Sequence, residues 1–286
     1  MAHESTFGDL VTYPTITVVS KTEPRPTSFS ARDGFTSAVQ LPTGRGSWLP
    51  ILSKPSGHSG KAVLADFCRR ISCGIATGAD AIFVHPNEAL DPALRVYGKP
   101  TLAGREIKPG DAFPDSQSLM LVPYDELGRL IPEERLGALG EYLRRPENKA
   151  KLLARTCAER KPWYAFHETP YLLDILRPKI LCKDICERPQ FVPDYSGEIL
   201  PRHSVYYIVP HEPTLIPAML EYLRSDMVRR WLEANSQRAA KGYFRMQSRT
   251  LQALPVPEDV LSLPHQVDFS SIRSGMLNRH QLALPL

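Results

Sequence analysis

Apolar residues recur along the chain in two rhythms. Met219, Leu223, Met227 and Trp231 fall four apart with Leu220 beside them, which predicts one helix over about 217–234 with a single core-facing stripe. Val63, Leu64, Phe67 and Ile71 have the same spacing and predict a shorter helix over 60–72. Pro132-Glu-Glu and Pro146-Glu each place a proline at a first turn with acids behind it. They predict helices to about 143 and about 159, because an N-terminus tolerates proline and favours negative charge. Strand-like runs are Ala81–Val84, after a turn punctuated by Gly74 and Gly78, then Ile180-Leu181, Phe191-Val192 and Val205-Tyr-Tyr-Ile-Val209. Residues 85–120, rich in Pro, Gly and Asp, predict short strands and loops. Near the start, Ile16, Val18 and Val19 among threonines make a β-rich run over 7–21. Residues 22–47, with three prolines and many Ser and Thr, predict a linker or extended arm. The tail after Val260 is polar and contains proline, and no internal repeat is present.

Length and composition frame these elements. A chain of 286 residues with 42% hydrophobic residues can bury a core as one large or two small domains. It has no run of eighteen apolar residues, and its first residues lack the basic-then-apolar layout of a signal peptide, so the expected compartment is the cytoplasm. The net charge of +4 identifies nothing by itself, but its distribution is uneven. Residues 141–250 hold 19 Lys/Arg against 13 Asp/Glu, and from Val228 to Thr250 six cations face one acid, Glu233. Phosphate contacts need such a local excess, although a solvated helix face has the same composition. Cys68, Cys73, Cys157, Cys182 and Cys186 are an odd count, expected as free thiols. Cys182-Lys-Asp-Ile-Cys186 lacks the second close pair that structural zinc wants, so no metal is expected. Asp80, Asp174, Asp184 and Asp194 are scattered over different segments, and Arg202-His203-Ser204 has no nucleophile context. No catalytic residue is therefore assigned.

Several short motifs occur in a fixed order: Gly74-Ile-Ala-Thr-Gly-Ala-Asp-Ala-Ile-Phe-Val84, Lys99-Pro-Thr-Leu-Ala-Gly-Arg-Glu-Ile107, Lys161-Pro-Trp-Tyr164, Pro178-Lys-Ile-Leu181, and Lys241-Gly-Tyr-Phe-Arg245 followed by Leu254-Pro-Val-Pro257. From about residue 50 to 258 this series resembles the C-terminal specificity domain of TaqI-type adenine-N6 DNA methyltransferases, also found in type IIG and BREX-associated methylases. The resemblance implies an α+β fold of twisted, mainly antiparallel sheets with flanking helices, preceded by an extended N-terminal strand and arm. It divides the chain into an N-terminal strand and linker (1–47), a target-recognition domain (48–258) and a C-terminal tail (259–286).

Enzymes of that group carry an Asn-Pro-Pro-Tyr-like loop for the flipped adenine. This chain has no Pro-Pro dipeptide and no glycine-rich strand-to-helix turn followed by an acid that would hold S-adenosylmethionine. The expectation is a DNA reader without the methylating engine. It has no cofactor of its own, and S-adenosylmethionine belongs to a separate methyltransferase catalytic subunit with which this chain forms a heterodimer on double-stranded DNA, in restriction-modification or phage defence. Two alternatives stand beside it: a piece of a single-chain methyltransferase, and a decayed specificity domain that regulates a complex through protein contacts. The resemblance further implies that residues 13–20, through Tyr13, Ile16, Val18 and Val19, add a strand to the catalytic subunit's sheet.

Candidate DNA contacts follow from side-chain chemistry. Arg105 and Lys108 flank Glu106 after a turn; Arg105 can reach guanine O6 and N7 or a phosphate, or instead form a surface ion pair. Lys161, beside Trp163 and Tyr164, and Lys179, beside a strand, are candidate phosphate contacts, with a core role for Trp163 and a sheet-edge role for Lys179 as alternatives. Arg202 joins them as a cation near the central strands. The best contact loop is 236–247. Arg238, Lys241 and Arg245 supply charge, Gln237 and Gln247 can read adenine edges, Tyr243 can stack, and Arg249 extends the basic run, while Phe244 and Met246 alternate inward. Thr77 and Asp80 are expected to order their own turn.

Overall fold

The structure, a computed structural model, describes residues 26–30, 36–40, 62–239 and 243–257. Its strands are β1 (Thr27–Ser30), β2 (Thr36–Val39), β3 (Ala62–Val63), β4 (Cys68–Cys73), β5 (Val84–Pro86), β6 (Gly98–Leu102), β7 (Ser118–Leu121), β8 (Lys179–Lys183), β9 (Ile185–Cys186), β10 (Phe191–Asp194), β11 (Leu200–Pro201), β12 (Val205–Pro210), β13 (Gln237–Arg238), β14 (Phe244–Arg245) and β15 (Pro255–Val256). Its helices are α1 (Asp80–Phe83), α2 (Pro92–Arg95), α3 (Gly137–Arg144), α4 (Pro146–Leu153), α5 (Leu172–Ile175), α6 (Ile216–Leu223), α7 (Asp226–Asn235) and α8 (Ser248–Gln252). The fold is α+β, and all but one of its strand ladders are antiparallel. None of the described helices is long and apolar enough to cross a membrane.

A four-stranded antiparallel sheet, in the order β10-β8-β12-β4, divides two apolar cores. Successive side chains on a strand point to opposite faces. Leu181, Val192, Val205, Tyr207 and Val209 therefore enter one core, and Ile71, Ile180, Cys182, Phe191 and Ile208 the other. Burial on both faces is why β8 and β12 read as unbroken apolar runs. The first core is completed by Leu139 and Leu143 of α3, Leu152 of α4, and a second sheet in the order β11-β6-β7-β5. The second core is closed by Met219 and Leu223 of α6, Val228, Trp231 and Leu232 of α7, and Leu251 of α8. A small three-stranded sheet, β13-β14-β9, sits at one end of it and contributes Cys186 and Phe244.

Several elements differ from the periodicity reading. The helix expected over 60–72 is instead β3, one 3-10 turn at Leu64–Phe67, and β4. Ile71 pairs with Ile208 across the sheet, and this long-range ladder overrides a local spacing that fits a helix equally well. The single helix over 217–234 is two. Arg224 terminates α6, its guanidinium donating to the Phe191 carbonyl at 2.7 Å, and the Ser225 hydroxyl accepts from the Val228 N–H to cap α7. Residues 81–83 belong to α1, and the strand begins only at Val84. The helix opened by Pro132 starts as a 3-10 turn, Glu133–Arg135, before α3, and the one opened by Pro146 stops at Leu153. Within the expected linker, Thr27–Ser30 and Thr36–Val39 pair antiparallel; both segments are rich in β-forming Thr, Phe and Val, and the sequence between them holds Asp33-Gly34. Tyr13, Ile16, Val18, Val19, Lys241 and the tail 259–286 lie outside the described residues.

Candidate nucleic-acid interface

Backbone crossings set the site. After β4 the chain runs against the β11–β12 connection: Gly74 N–H donates to the Val205 carbonyl at 2.8 Å, Ile75 N–H to Pro201 at 2.7 Å, and His203 N–H to Ile75 at 2.9 Å. Arg202 N–H donates to Leu102 at 2.9 Å, which ties in the second sheet. A Cβ at residue 74 would stand 2.4 Å from the Arg202 carbonyl oxygen and 2.5 Å from that of Pro201, so only glycine fits the close approach. The next turn is self-ordered as expected. The Thr77 hydroxyl donates to Asp80 Oδ1 at 2.5 Å and accepts from the Ala79 N–H at 3.0 Å. The Arg155 guanidinium closes this turn from behind, donating to the carbonyls of Thr77, Trp163 and Ala165 at 2.7–2.9 Å.

Two predicted DNA contacts turn out to be structural. Lys179 is fully buried, and its ammonium donates to Asp194 Oδ2 at 2.5 Å and to the Arg177 carbonyl at 3.3 Å. Burial pulls its pKa down and Asp194 opposes that pull. A phosphate cannot reach an ammonium with no exposed surface. Arg202, 9% exposed at its side chain, lies between Asp80 at 3.6 Å and Glu106 at 3.4 Å. It clamps the Thr77–Asp80 turn to the Gly104–Glu106 turn, with its charge already matched by two carboxylates. Lys161 is half-buried, donating to the His167 carbonyl at 2.9 Å and reaching the Thr169 hydroxyl at 3.4 Å. Trp163 packs against the first core, and its indole N–H donates to Glu133 at 2.9 Å.

Other predicted residues gather on one surface. Gly104 N–H donates to the Ser204 hydroxyl at 2.9 Å, and a Cβ there would lie 2.6 Å from the Ser204 carbonyl oxygen and 3.3 Å from Lys183 Cγ. The close approach brings the exposed Arg105 to the end of β8. Asp184 N–H donates to the Ser204 carbonyl at 3.0 Å, and Met246 N–H to the Asp184 carbonyl at 2.8 Å, which joins that place to the small sheet. There Arg245 faces Ile185 on one side and Gln237 on the other, and Gln247 Nε2 donates to Gln237 Oε1 at 3.1 Å. Phe244 and Met246 point inward while Tyr243 and Arg245 are exposed, as the alternation predicts. Lys108, its N–H bonded to Asp111 at 2.7 Å, and Arg249 on α8 are exposed further along; the backbone of Arg238 lies in β13.

The sequence reading missed three members of this surface. Lys183 and Asp184 sit inside Cys182-Lys-Asp-Ile-Cys186, where the cysteines drew attention away from them, and His203, exposed, sat beside Arg202. The cysteines are all free. Burial pushes the Cys68 thiol up to about 12 and Cys186 to about 11, and raises Cys182 as well, so these groups are neutral packing atoms. Among the described residues no group of three or more His, Cys, Asp or Glu side chains is placed to hold a metal. Among the described residues the one parallel ladder between named strands, β11 with β6, spans two residue pairs, and β6 leads into a single 3-10 turn.

The comparisons show that the chain is related to type II methyltransferases. It is 26% identical to the Type II methyltransferase M.PaeR7I of Pseudomonas aeruginosa over 286 residues, covering 87% of this chain and 48% of that protein. It is 22% identical to the Type II methyltransferase M.XhoI of Xanthomonas vasicola over 284 residues, covering 87% and 51%. The chain thus spans about half the length of the curated relatives it matches. Among solved structures, the Type IIL restriction-modification enzyme MmeI in complex with DNA aligns over 79% of this chain and 29% of its own, with 13% identity and a TM-score of 0.44. No protein-family model matches the chain.

Proposed function

We propose that this chain is the DNA target-recognition part of an adenine-N6 DNA methyltransferase. It grips duplex DNA while a separate catalytic subunit binds S-adenosylmethionine and transfers the methyl group. The observation that carries this reading is the gathering of Arg105, Lys183, His203 and Arg245 with Gln237 and Gln247 on one surface. In that arrangement the lysine and the two arginines neutralise phosphates and position the duplex, and the paired glutamine amides face base edges. The Gly74–Asp80 and Gly104–Glu106 turns, clamped by Arg202 and Arg155, hold the surface in shape. The relation to type II methyltransferases supports the partner chemistry, and residues 13–20 are the segment assigned to docking on the catalytic subunit.

The test is duplex binding against salt, followed by reconstitution. Arg105→Ala and Arg245→Ala should each weaken binding to all sequences and reduce the slope of log affinity against log salt by about 1. Methyl transfer to adenine should appear only when this chain and a catalytic subunit are mixed. Slopes unchanged in both variants would remove the proposed surface, and methyl transfer by this chain alone would remove the non-catalytic assignment.

A further inference from the structure

The small sheet β13-β14-β9 turns one face away from the second core, and that face is not uniformly polar. Residues directly opposite each other on antiparallel strands point to the same side. Gln237 is opposite Arg245, and Arg245 is opposite Ile185, so the three form a row across the sheet. All three are exposed, while the next pair, Phe244 and Cys186, is buried on the reverse face. Ile185 keeps 42% of its surface in water, with Arg245 beside it and Lys183 two residues before it. Neighbouring strands lie about 4.8 Å apart, so the row is about 10 Å long. That length matches roughly three base-pair steps at ~3.4 Å each. The β14–β9 pair is also a two-stranded ribbon, an element the major groove admits. The chemistry of the row limits what can cover Ile185. An apolar protein patch laid over it would strip water from Arg245 and Lys183 without supplying negative charge, which is unfavourable. A small apolar group flanked by anions avoids that cost. In duplex DNA the thymine C5-methyl is such a group, lying on the major-groove edge between two phosphate backbones.

We propose that Ile185 is a specificity-determining residue that packs on the C5-methyl of a thymine in the major groove of the DNA target. The proposal rests on the proposed DNA-binding role and adds to it one base at one position. Arg245 holds a neighbouring phosphate and so keeps Ile185 against the base edge. Gln237, at the other end of the row, faces a base edge within about three steps of that thymine. A cytosine at the same position lacks the methyl and leaves the isoleucine surface uncovered.

Duplexes bound by the whole chain are first selected from a library with a randomised segment. Each thymine of the selected sequence is then replaced singly by uracil, which lacks only the C5-methyl. Wild type, Ile185→Ala and Ile185→Val are compared, and melting temperatures establish that each is folded. Uracil at one position should weaken wild-type binding about 4-fold, the value for one buried carbon. Ile185→Ala should bind the thymine and uracil duplexes equally, with the salt slope of wild type. Ile185→Val, which keeps the branched Cβ, should retain most of the discrimination. A selected sequence with no preferred thymine, wild-type binding indifferent to uracil at every position, or a folded Ile185→Ala that still discriminates would each overturn the proposal. In those cases reduced salt slopes in Arg105→Ala and Arg245→Ala leave the DNA-binding role standing. An Ile185→Ala that keeps the discrimination but no longer co-purifies with the catalytic subunit assigns the residue to a protein contact and overturns the proposal as well. A wild-type chain that does not bind duplex DNA overturns both readings.

Discussion

The sharpest test of the interior is Lys179→Met. Lys179 and Asp194 are 0% and 2% exposed, 2.5 Å apart. Asp194 also accepts from the Ser196 hydroxyl at 2.7 Å and from the N–H groups of Gly197 and Ile199 at 3.0 and 3.2 Å. Breaking a buried ion pair by removing one member costs about 3–5 kcal/mol, because the other charge is left behind. The two halves are unequal here. Methionine at 179 fills most of the lysine's volume and leaves Asp194 three donors, which places Lys179→Met near the lower end, about 3 kcal/mol. Asp194→Ala leaves a buried ammonium with only the Arg177 carbonyl at 3.3 Å and strands two N–H groups, which places it near the upper end, about 5 kcal/mol. Equilibrium urea unfolding of both variants measures the difference. In the same samples, kept below the unfolding transition, the salt slope of DNA binding by Lys179→Met should match wild type, since this cation touches no phosphate. A loss under about 1 kcal/mol for Lys179→Met, an Asp194→Ala variant milder than Lys179→Met, or a salt slope reduced in folded Lys179→Met would each refute the reasoning.

Two further outcomes follow from the same geometry. Gly74→Ala drives a methyl group to within 2.4 Å of a backbone oxygen that cannot move independently of β11; a loss of about 2–3 kcal/mol or more is expected, read as a lower thermal midpoint, and a midpoint equal to wild type would show that the crossing is looser than described. Asp174 accepts from Arg69 and Arg70 at 2.5 Å each, and although its burial works to raise the pKa, those hydrogen bonds and charges outweigh it and hold the pKa below the usual carboxylate value. A depressed folded pKa gives stability that is present above the unfolded carboxylate range and lost as pH falls through the folded value. Asp174→Asn should therefore cost about 1–3 kcal/mol near neutrality, a gap that narrows as pH drops below about 4, and a gap that stays constant through acid titration would count against the paired-arginine account.

What the sequence determined by itself was mainly local. A proline at the first turn located α4, Pro132 marked the 3-10 turn that leads into α3, the doubly apolar runs located β8, β10 and β12, and alternation set Phe244 and Met246 inward with Arg245 outward. The ordered motifs also pointed correctly to an α+β fold and to kinship with methyltransferases. Tertiary structure decided the rest, wherever one residue type admits two environments. The spacing of Val63, Leu64, Phe67 and Ile71 fits a helix or a turn and strand equally, and only the ladder to β12 chose. A lysine before a strand reads as a phosphate contact until Asp194, fifteen residues away, is seen to face it across an antiparallel pair. Arg202 likewise reads as free until Asp80 and Glu106 close on it from distant turns. Asp184 looked like one of four scattered acids, and only the crossing through Ser204 and Met246 joined it to the small sheet. Charge and periodicity are properties of the chain. Burial and pairing are properties of contacts between residues far apart along it, and those contacts divide the cations that hold the fold from those that face solvent.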